Sequence, residues 1–279
     1  MVVSTAQTVL LGAIAGFTIF LGLPMGRMRG GSRGLRIFLS GLSAGILLFI
    51  FFDVLDAASE PLDSALKQGT TSGDWARFVG LAVVYVLGFG LGLLGLFYSQ
   101  RLWKTTARAS MGPGAMAATE SRAVDTTRAD ALRLGMTIAM GIGLHNFSEG
   151  LAIGQSAAAG EVSLALLLII GFGLHNATEG FGIVGPAVAN GIRPTWKWLF
   201  LAGLIGGGPT FLGTIVGSAF DSEFLFVAFL LLAAGAILYV VGELIVAGRR
   251  ASWELTLWGI FAGFLLGIAT DLVLTAAGV

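Results

Sequence analysis

Gly141-Ile-Gly-Leu-His-Asn-Phe-Ser-Glu-Gly150 recurs thirty residues later as Gly171-Phe-Gly-Leu-His-Asn-Ala-Thr-Glu-Gly180. The two copies hold both histidines of the chain, His145 and His175, and two of its sixteen acids, Glu149 and Glu179, inside otherwise apolar runs. Residues four apart lie one above the other on a helix, so each copy stacks an imidazole over a carboxylate. Asn146 and Asn176 stand about 100° round the same helices and can offer an amide oxygen to a neighbouring point.

The surroundings of this pair identify the solvent. Of 279 residues, 56% are hydrophobic and 11% charged, and the mean hydropathy is +0.89. Ordinary soluble domains are roughly a quarter charged, so the composition is that of an integral membrane protein. The 43 glycines and six prolines suit close-packed membrane helices. Cysteine is absent, which excludes a disulfide framework and thiolate metal sites. A net charge of zero with no basic tail argues against a nucleic-acid partner. No basic n-region or cleavage site precedes the first apolar run, so the N-terminus is expected to be the first span.

About 20 apolar residues cross a hydrocarbon core of about 30 Å. Eight segments meet that requirement: 5–24, 35–57, 77–99, 131–156, 162–187, 197–219, 224–247 and 254–277. The expected architecture is therefore an all-α, polytopic, single transmembrane domain over 1–279. Two connections are long. Ala57 to Arg77, with Glu60, Pro61, Asp63 and Asp74, reads as a polar excursion, and 100–130 as a flexible loop between spans three and four. Fourteen of the sixteen basic residues fall in the loops after spans one, three, five and seven, leaving Lys67 and Arg77 on the other side. Those loops are expected to be cytoplasmic, with both termini outside, in a plasma or bacterial inner membrane. Acids at Glu60, Asp63, Asp74, Glu161, Asp221 and Glu223 then mark the outer face.

Spans two and seven also correspond. Ser43-Ala-Gly-Ile-Leu-Leu-Phe49 precedes Asp53, and Ala233-Ala-Gly-Ala-Ile-Leu-Tyr239 precedes Glu243, each acid eight residues after the matched glycine. Phe20-Leu21-Gly22 and Phe211-Leu212-Gly213 add an echo between spans one and six. Since span two runs outward and span seven inward, the expectation is an inverted repeat of three helices on either side of a central pair. Asp53 and Glu243 would then stand at the entrance and exit of one cation path; otherwise they are interfacial.

An acid at the bilayer centre costs roughly 2.5–3.5 kcal/mol, so two glutamates facing lipid would cost about 5–7 kcal/mol. They must face the protein interior and a partner. No Lys or Arg lies in the apolar part of either span, which leaves protons or a bound cation. Imidazole and carboxylate suit Zn²⁺, and also Fe²⁺, Co²⁺ or Mn²⁺. A buried polar network joining two helices is the alternative.

Eight spans, a long loop after the third, and His-Asn-x-x-Glu-Gly on the fourth followed by a related motif on the fifth resemble the ZIP family of divalent metal transporters, of the bacterial or archaeal type. The resemblance implies a bundle arranged as three, two and three helices with a metal site between the fourth and fifth. It implies His145, Asn146, Glu149, His175, Asn176 and Glu179 as ligands. Ser148 and Thr178 stand where the family usually has Pro, so bending would come from hydroxyl back-bonding or glycine. Gly208 precedes Pro209 where many members carry Glu-Pro, which implies one well-held ion rather than two.

The expected function is transport of a divalent transition metal, Zn²⁺ foremost, toward the cytoplasm, without a prosthetic group and without enzymatic activity. Because imidazole ligates when neutral, transport should fall as pH drops through about 6–7. The rivals are an intramembrane metal-dependent hydrolase, which lacks HExxH and a third histidine here, and a proton-coupled carrier without metal. The partners are the ion and the lipid bilayer, and a homodimer is compatible with the sequence.

Overall fold

The computed structural model describes residues 5–28, 32–109, 119–158, 162–219 and 222–276, less the side chains of residues 5, 99–109, 119–126, 162–168, 174, 175, 273 and 274. Glu161, Asp221 and Arg29, the last one of the fourteen basic residues counted for sidedness, lie outside the described residues, as do the side chains of Arg101, Lys104, Arg108, Arg122 and His175. Among the described residues the chain is all-helical, without a strand. α1 (Thr5–Phe17) and α2 (Ile19–Gly22) are separated at Thr18 and followed by a 3-10 turn, Leu23–Arg27. Then come α3 (Arg33–Ser72), α4 (Ala76–Ala109), α5 (Thr119–Ala158), α6 (Val162–Ala189), α7 (Trp196–Gly217), α8 (Glu223–Ala251) and α9 (Trp253–Ala276).

Six segments among the described residues are long and apolar enough to cross a membrane: Ala6–Arg27, Arg33–Ser72, Ala76–Tyr98, Trp196–Gly217, Glu223–Ala251 and Trp253–Leu272. α5 and α6, which carry the repeated motif, are not among them. In α5 the cluster of His145, Asn146 and Glu149 lowers the hydropathy of an otherwise apolar run. α5 packs against α7, α6, α8 and α1, so a ring of neighbours rather than its own side chains shields it. The outer faces of α4 and α9 are the most apolar and open, with Val86, Leu87 and Leu91 on α4 and Trp258 and Phe261 on α9 exposed. Apolar surface of that extent on long helices belongs in lipid.

Two connections differ from expectation. Most of the excursion over 57–77 is helix, since α3 runs unbroken for 40 residues to Ser72. Ala58 and Ala65 are fully buried, and Ser59 Oγ meets Tyr85 Oη of α4 at 3.1 Å, so packing on α4 holds the extension. Gly73, at φ 76°, closes α3 with its amide on Gly69 O, as a left-handed helix cap requires. Asp74 Oδ1 then accepts from Ala76 N at 3.1 Å and starts α4. Of the segment 100–130, α4 takes in residues to Ala109 and α5 begins at Thr119. Ala, Arg, Lys and Leu are good helix formers, and helix propensity continues where hydropathy stops.

Packing pairs the helices in a regular way. α3 lies mainly on α9, α8 and α6, while α8 lies mainly on α4, α3 and α5. α7 packs on α5 and α1, and α6 packs on α5, α3, α1 and α2. The core between them is built from Ile46, Leu47 and Ile50 of α3, Ile138 and Ile142 of α5, Ile183 of α6, and Leu231 and Ile237 of α8.

Glycines set the closest crossings. A Cβ on Gly150 would run into Thr210 O and Thr214 N of α7, and one on Gly180 into Ile19 O and Leu23 N of the first segment. Gly45 of α3 meets Ile260 O and Phe264 N of α9 in the same way that Gly235 of α8 meets Phe89 O and Leu93 N of α4.

Candidate functional site

The two copies of the motif meet where α5 and α6 cross. His145, Asn146 and Glu149 on α5 and Asn176 and Glu179 on α6 are all buried, with Asn146, Asn176 and Glu179 fully so. Helical spacing of four brings His145 Nε2 to 3.2 Å from Glu149 Oε1 on its own helix, and the crossing brings the same nitrogen to 4.0 Å from Glu179 Oε1. The backbone of His175 lies on α6 one turn before Glu179, as the repeat requires.

The asparagines make the cross-links. Asn146 Nδ2 lies 2.5 Å from Asn176 Oδ1, 3.2 Å from Glu179 Oε2 and 2.9 Å from Gly206 O of α7, three acceptors for the two hydrogens of one amide. Asn176 Nδ2 donates to Ala15 O of α1 at 3.2 Å and reaches Glu149 Oε2 at 3.5 Å. Each asparagine therefore touches the glutamate of the opposite helix and one backbone carbonyl of a flanking helix. The cross-links run through the amide nitrogens, while Asn146 Oδ1, an oxygen of the kind the sequence offers to a neighbouring point, takes no part in them.

The Ala15 carbonyl stands beside the end of its helix, and the Gly206 carbonyl lies near a proline inside a continuous one. α1 ends at Phe17, and Thr18 Oγ1 folds back on Ala15 O at 2.6 Å. In α7, Pro209 lacks the N–H that would bond Ile205 O, next to the Gly206 carbonyl that takes Asn146. Ala15 and Gly206 were invisible in the sequence because a carbonyl carries no residue-type signal. Ser148 Oγ back-bonds to His145 O at 2.5 Å, the hydroxyl interaction anticipated where the resembled family has Pro.

Some acceptors in this interior are left over. Among the described residues, Asn146 Oδ1, Glu179 Oε1 and Thr210 Oγ1 are buried without a hydrogen-bond partner. Thr210 was not singled out in the sequence; it faces Gly16 from α7, one turn from Thr214. A Cβ at Gly208 would meet nothing within 4 Å, so the position where the resembled family carries Glu opens on free space. Among the described residues no group of three or more His, Asp or Glu is arranged to hold a metal ion. The carboxylates contact the imidazole itself rather than one shared point.

Asp53 and Glu243, expected at the ends of a path, lie on α3 and α8. Asp53, exposed on α3, lies within electrostatic range of His145. Glu243, exposed on α8, lines a cavity of about 320 Å³ with Ser40, Asp130, Arg133, Thr137 and Asn190, at the end where α3 begins. Compared with models of known families and with curated proteins, the chain matches none.

Proposed function

We propose that the chain carries a divalent transition metal ion across a membrane, Zn²⁺ foremost, with Fe²⁺, Mn²⁺ and Co²⁺ as further cargo. The observation that carries this reading is a fully buried set of acceptors, Glu179 Oε1 and Asn146 Oδ1, beside an imidazole and a second carboxylate, with no Lys or Arg among them. Buried acceptors without a donor cost about 1–3 kcal/mol each, and a cation is the ligand that relieves several at once. The spacing is favourable: two ligands about 2.0–2.1 Å from a tetrahedral Zn²⁺ stand about 3.3–3.4 Å apart, against 3.2 Å between His145 Nε2 and Glu149 Oε1. His175, on the same face of α6 as Glu179, completes the set in this reading.

The proposed architecture has eight spans in a three, two and three arrangement, related by an inverted repeat. Exchanging the first three spans with the last three, and α5 with α6, maps many contacts onto one another. Gly150 on Thr210 and Thr214 corresponds to Gly180 on Ile19 and Leu23, and Asn146 on Gly206 O to Asn176 on Ala15 O. Thr18, where α1 gives way to α2, corresponds to Pro209 inside the continuous helix α7. Discontinuous helices beside a central site are the device by which repeat-built transporters alternate access. In this reading Asp53 receives the ion from outside and the Glu243 cavity releases it to the cytoplasm. Gly208 offers no carboxylate, so one ion is held well.

A second reading has its own observation. The direct contact of His145 Nε2 with Glu149 Oε1 can hold or pass a proton without metal, as in a proton-coupled carrier. Metal uptake into proteoliposomes by the wild type, Glu149→Ala and His175→Ala separates them. Flux in the wild type that falls at least about tenfold in both variants supports metal transport. Proton flux without metal flux supports the carrier, and lipid or peptide cleavage would revive a hydrolase.

A further inference from the structure

Thr210 of α7 is fully buried, and its Oγ1 has no hydrogen-bond partner among the described residues. A helical threonine ordinarily turns this oxygen onto the carbonyl three or four residues back, and two side-chain rotamers allow it. Thr18, Thr137 and Thr214 all do so, on Ala15 O, Arg133 O and Thr210 O at 2.6, 3.1 and 2.8 Å. The carbonyl four residues before Thr210 is that of Gly206, and Asn146 Nδ2 of α5 donates to it at 2.9 Å. With the Thr210 N–H on it as the helix pattern requires, both lone pairs of Gly206 O are filled. The hydroxyl is left facing α1, where a Cβ on Gly16 would lie 3.0 Å from Oγ1.

Asn146 is in the opposite position, with more acceptors than hydrogens. Its Nδ2 serves Asn176 Oδ1, Glu179 Oε2 and Gly206 O, while its Oδ1 is buried without a partner. The hydrogens point at Glu179, the carboxylate that a bound cation would share. Amide hydrogens and a cation repel each other, so an ion at Glu179 favours the amide turned over, with Oδ1 toward the metal. That turn takes the donor away from Gly206 O and sets an oxygen against it. The replacement donor stands one turn away on the same helix, the Thr210 hydroxyl. Ala15 O, the counterpart on α1, takes amide and threonine together, from Asn176 Nδ2 at 3.2 Å and Thr18 Oγ1 at 2.6 Å. Asn176 therefore turns with Asn146 while Ala15 O keeps a donor, and the bond between the two amides is retained in the reverse sense.

We propose that Thr210 is a positioning residue for the ion site: its hydroxyl rotates onto Gly206 O when the Asn146 amide turns its oxygen to a bound divalent cation. The proposal rests on the reading of this site as that of a metal carrier. The amide satisfies Gly206 O in the empty site and the hydroxyl satisfies it in the loaded one, so α7 keeps its carbonyl paired in both.

The test uses the full-length protein in detergent, with Zn²⁺ affinity read by isothermal titration and the thermal midpoint read without metal. Thr210→Val removes the hydroxyl and keeps the branched shape; Thr210→Ser keeps the hydroxyl. Thr210→Val is expected to hold the wild-type midpoint and to bind Zn²⁺ roughly tenfold more weakly, with most of the affinity restored in Thr210→Ser. A second arm needs no metal. Asn146→Ala leaves Gly206 O to Thr210, so adding Thr210→Val to Asn146→Ala lowers the midpoint although Thr210→Val alone does not. Zn²⁺ binding by Thr210→Val as tight as that of the wild type overturns the proposal and leaves the metal reading standing. No Zn²⁺ binding by the wild type overturns both. A midpoint lowered by Thr210→Val alone, or failure of that variant to fold, shows that the hydroxyl already bonds in the empty site and overturns the proposal, as does an unchanged midpoint when Thr210→Val is added to Asn146→Ala.

Discussion

Asn146 of α5 and Asn176 of α6 meet at 2.5 Å, and each also reaches the carboxylate on the other's helix, Glu179 at 3.2 Å and Glu149 at 3.5 Å. The central pair of helices is thus cross-linked by its amides, while the imidazole of His145 and the carboxylates line the interior between them.

Asn146→Ala removes the donor to Gly206 O and Glu179 Oε2 in a fully buried setting. The expected loss is about 1–3 kcal/mol of stability, read as a lower midpoint in thermal unfolding of the detergent-solubilised protein. Asn176→Ala removes the matching donor to Ala15 O, which keeps only Thr18 Oγ1, and should cost a similar amount or less. A midpoint equal to wild type in both would contradict the cross-link.

Gly150→Ala and Gly208→Ala should have opposite effects although both lie in helices. A Cβ on Gly150 collides with the Thr210 carbonyl and forces α5 and α7 apart, at a cost of about 1–3 kcal/mol. At Gly208 it enters open space, and replacing a helical glycine gains up to about 1 kcal/mol. The same thermal measurement ranks them; a more stable Gly150→Ala would show that the crossing is not tight.

Arg77 of α4 bonds through two nitrogens to Glu223 at the start of α8, and Arg77 Nη1 also meets Gln68 Oε1 of α3 at 3.0 Å. The pair is about one-third exposed, so solvent screens it. Glu223→Gln should therefore lower the thermal midpoint only slightly, and less in high salt. A large drop, independent of salt, would mean that the clamp is a main support of the fold.

If the chain holds Zn²⁺ at the central site, added metal at about 100 times its Kd should stabilise the folded state by about 2.7 kcal/mol. Glu149→Gln/Glu179→Gln should abolish that gain. Isothermal titration should give a stoichiometry of one per chain. A wild-type midpoint that Zn²⁺ does not move would argue for the metal-free carrier.

The apolar runs and the doubled motif made the all-helical membrane architecture legible, because bilayer thickness and backbone hydrogen bonding leave few alternatives for such a composition. The stacking of His145 over Glu149 was legible for the same local reason, helical spacing of four. Where α3 stops was not, since the polar stretch after Ala57 reads as loop until Ala58 and Ala65 are seen buried in the packed interior. The extension of α4 and α5 into 100–130 was missed because hydropathy marks where a helix leaves lipid rather than where it ends.

The sequence by itself determined which polar residues have to be accommodated inside the bundle: a chain with two histidines, each four residues before a glutamate in an apolar helix, has few ways to satisfy them. Only the tertiary structure decided that Asn146 and Asn176 act as donors across the pair, that Ala15 and Gly206 supply the carbonyls they need, and that Glu179 Oε1 is left over. Those choices depend on crossings set by Gly150 and Gly180 against helices distant in sequence, and on the break at Thr18 that lies beside Ala15. Local periodicity sets which face a side chain is on, but the partner it meets is set by the helices that packing brings there.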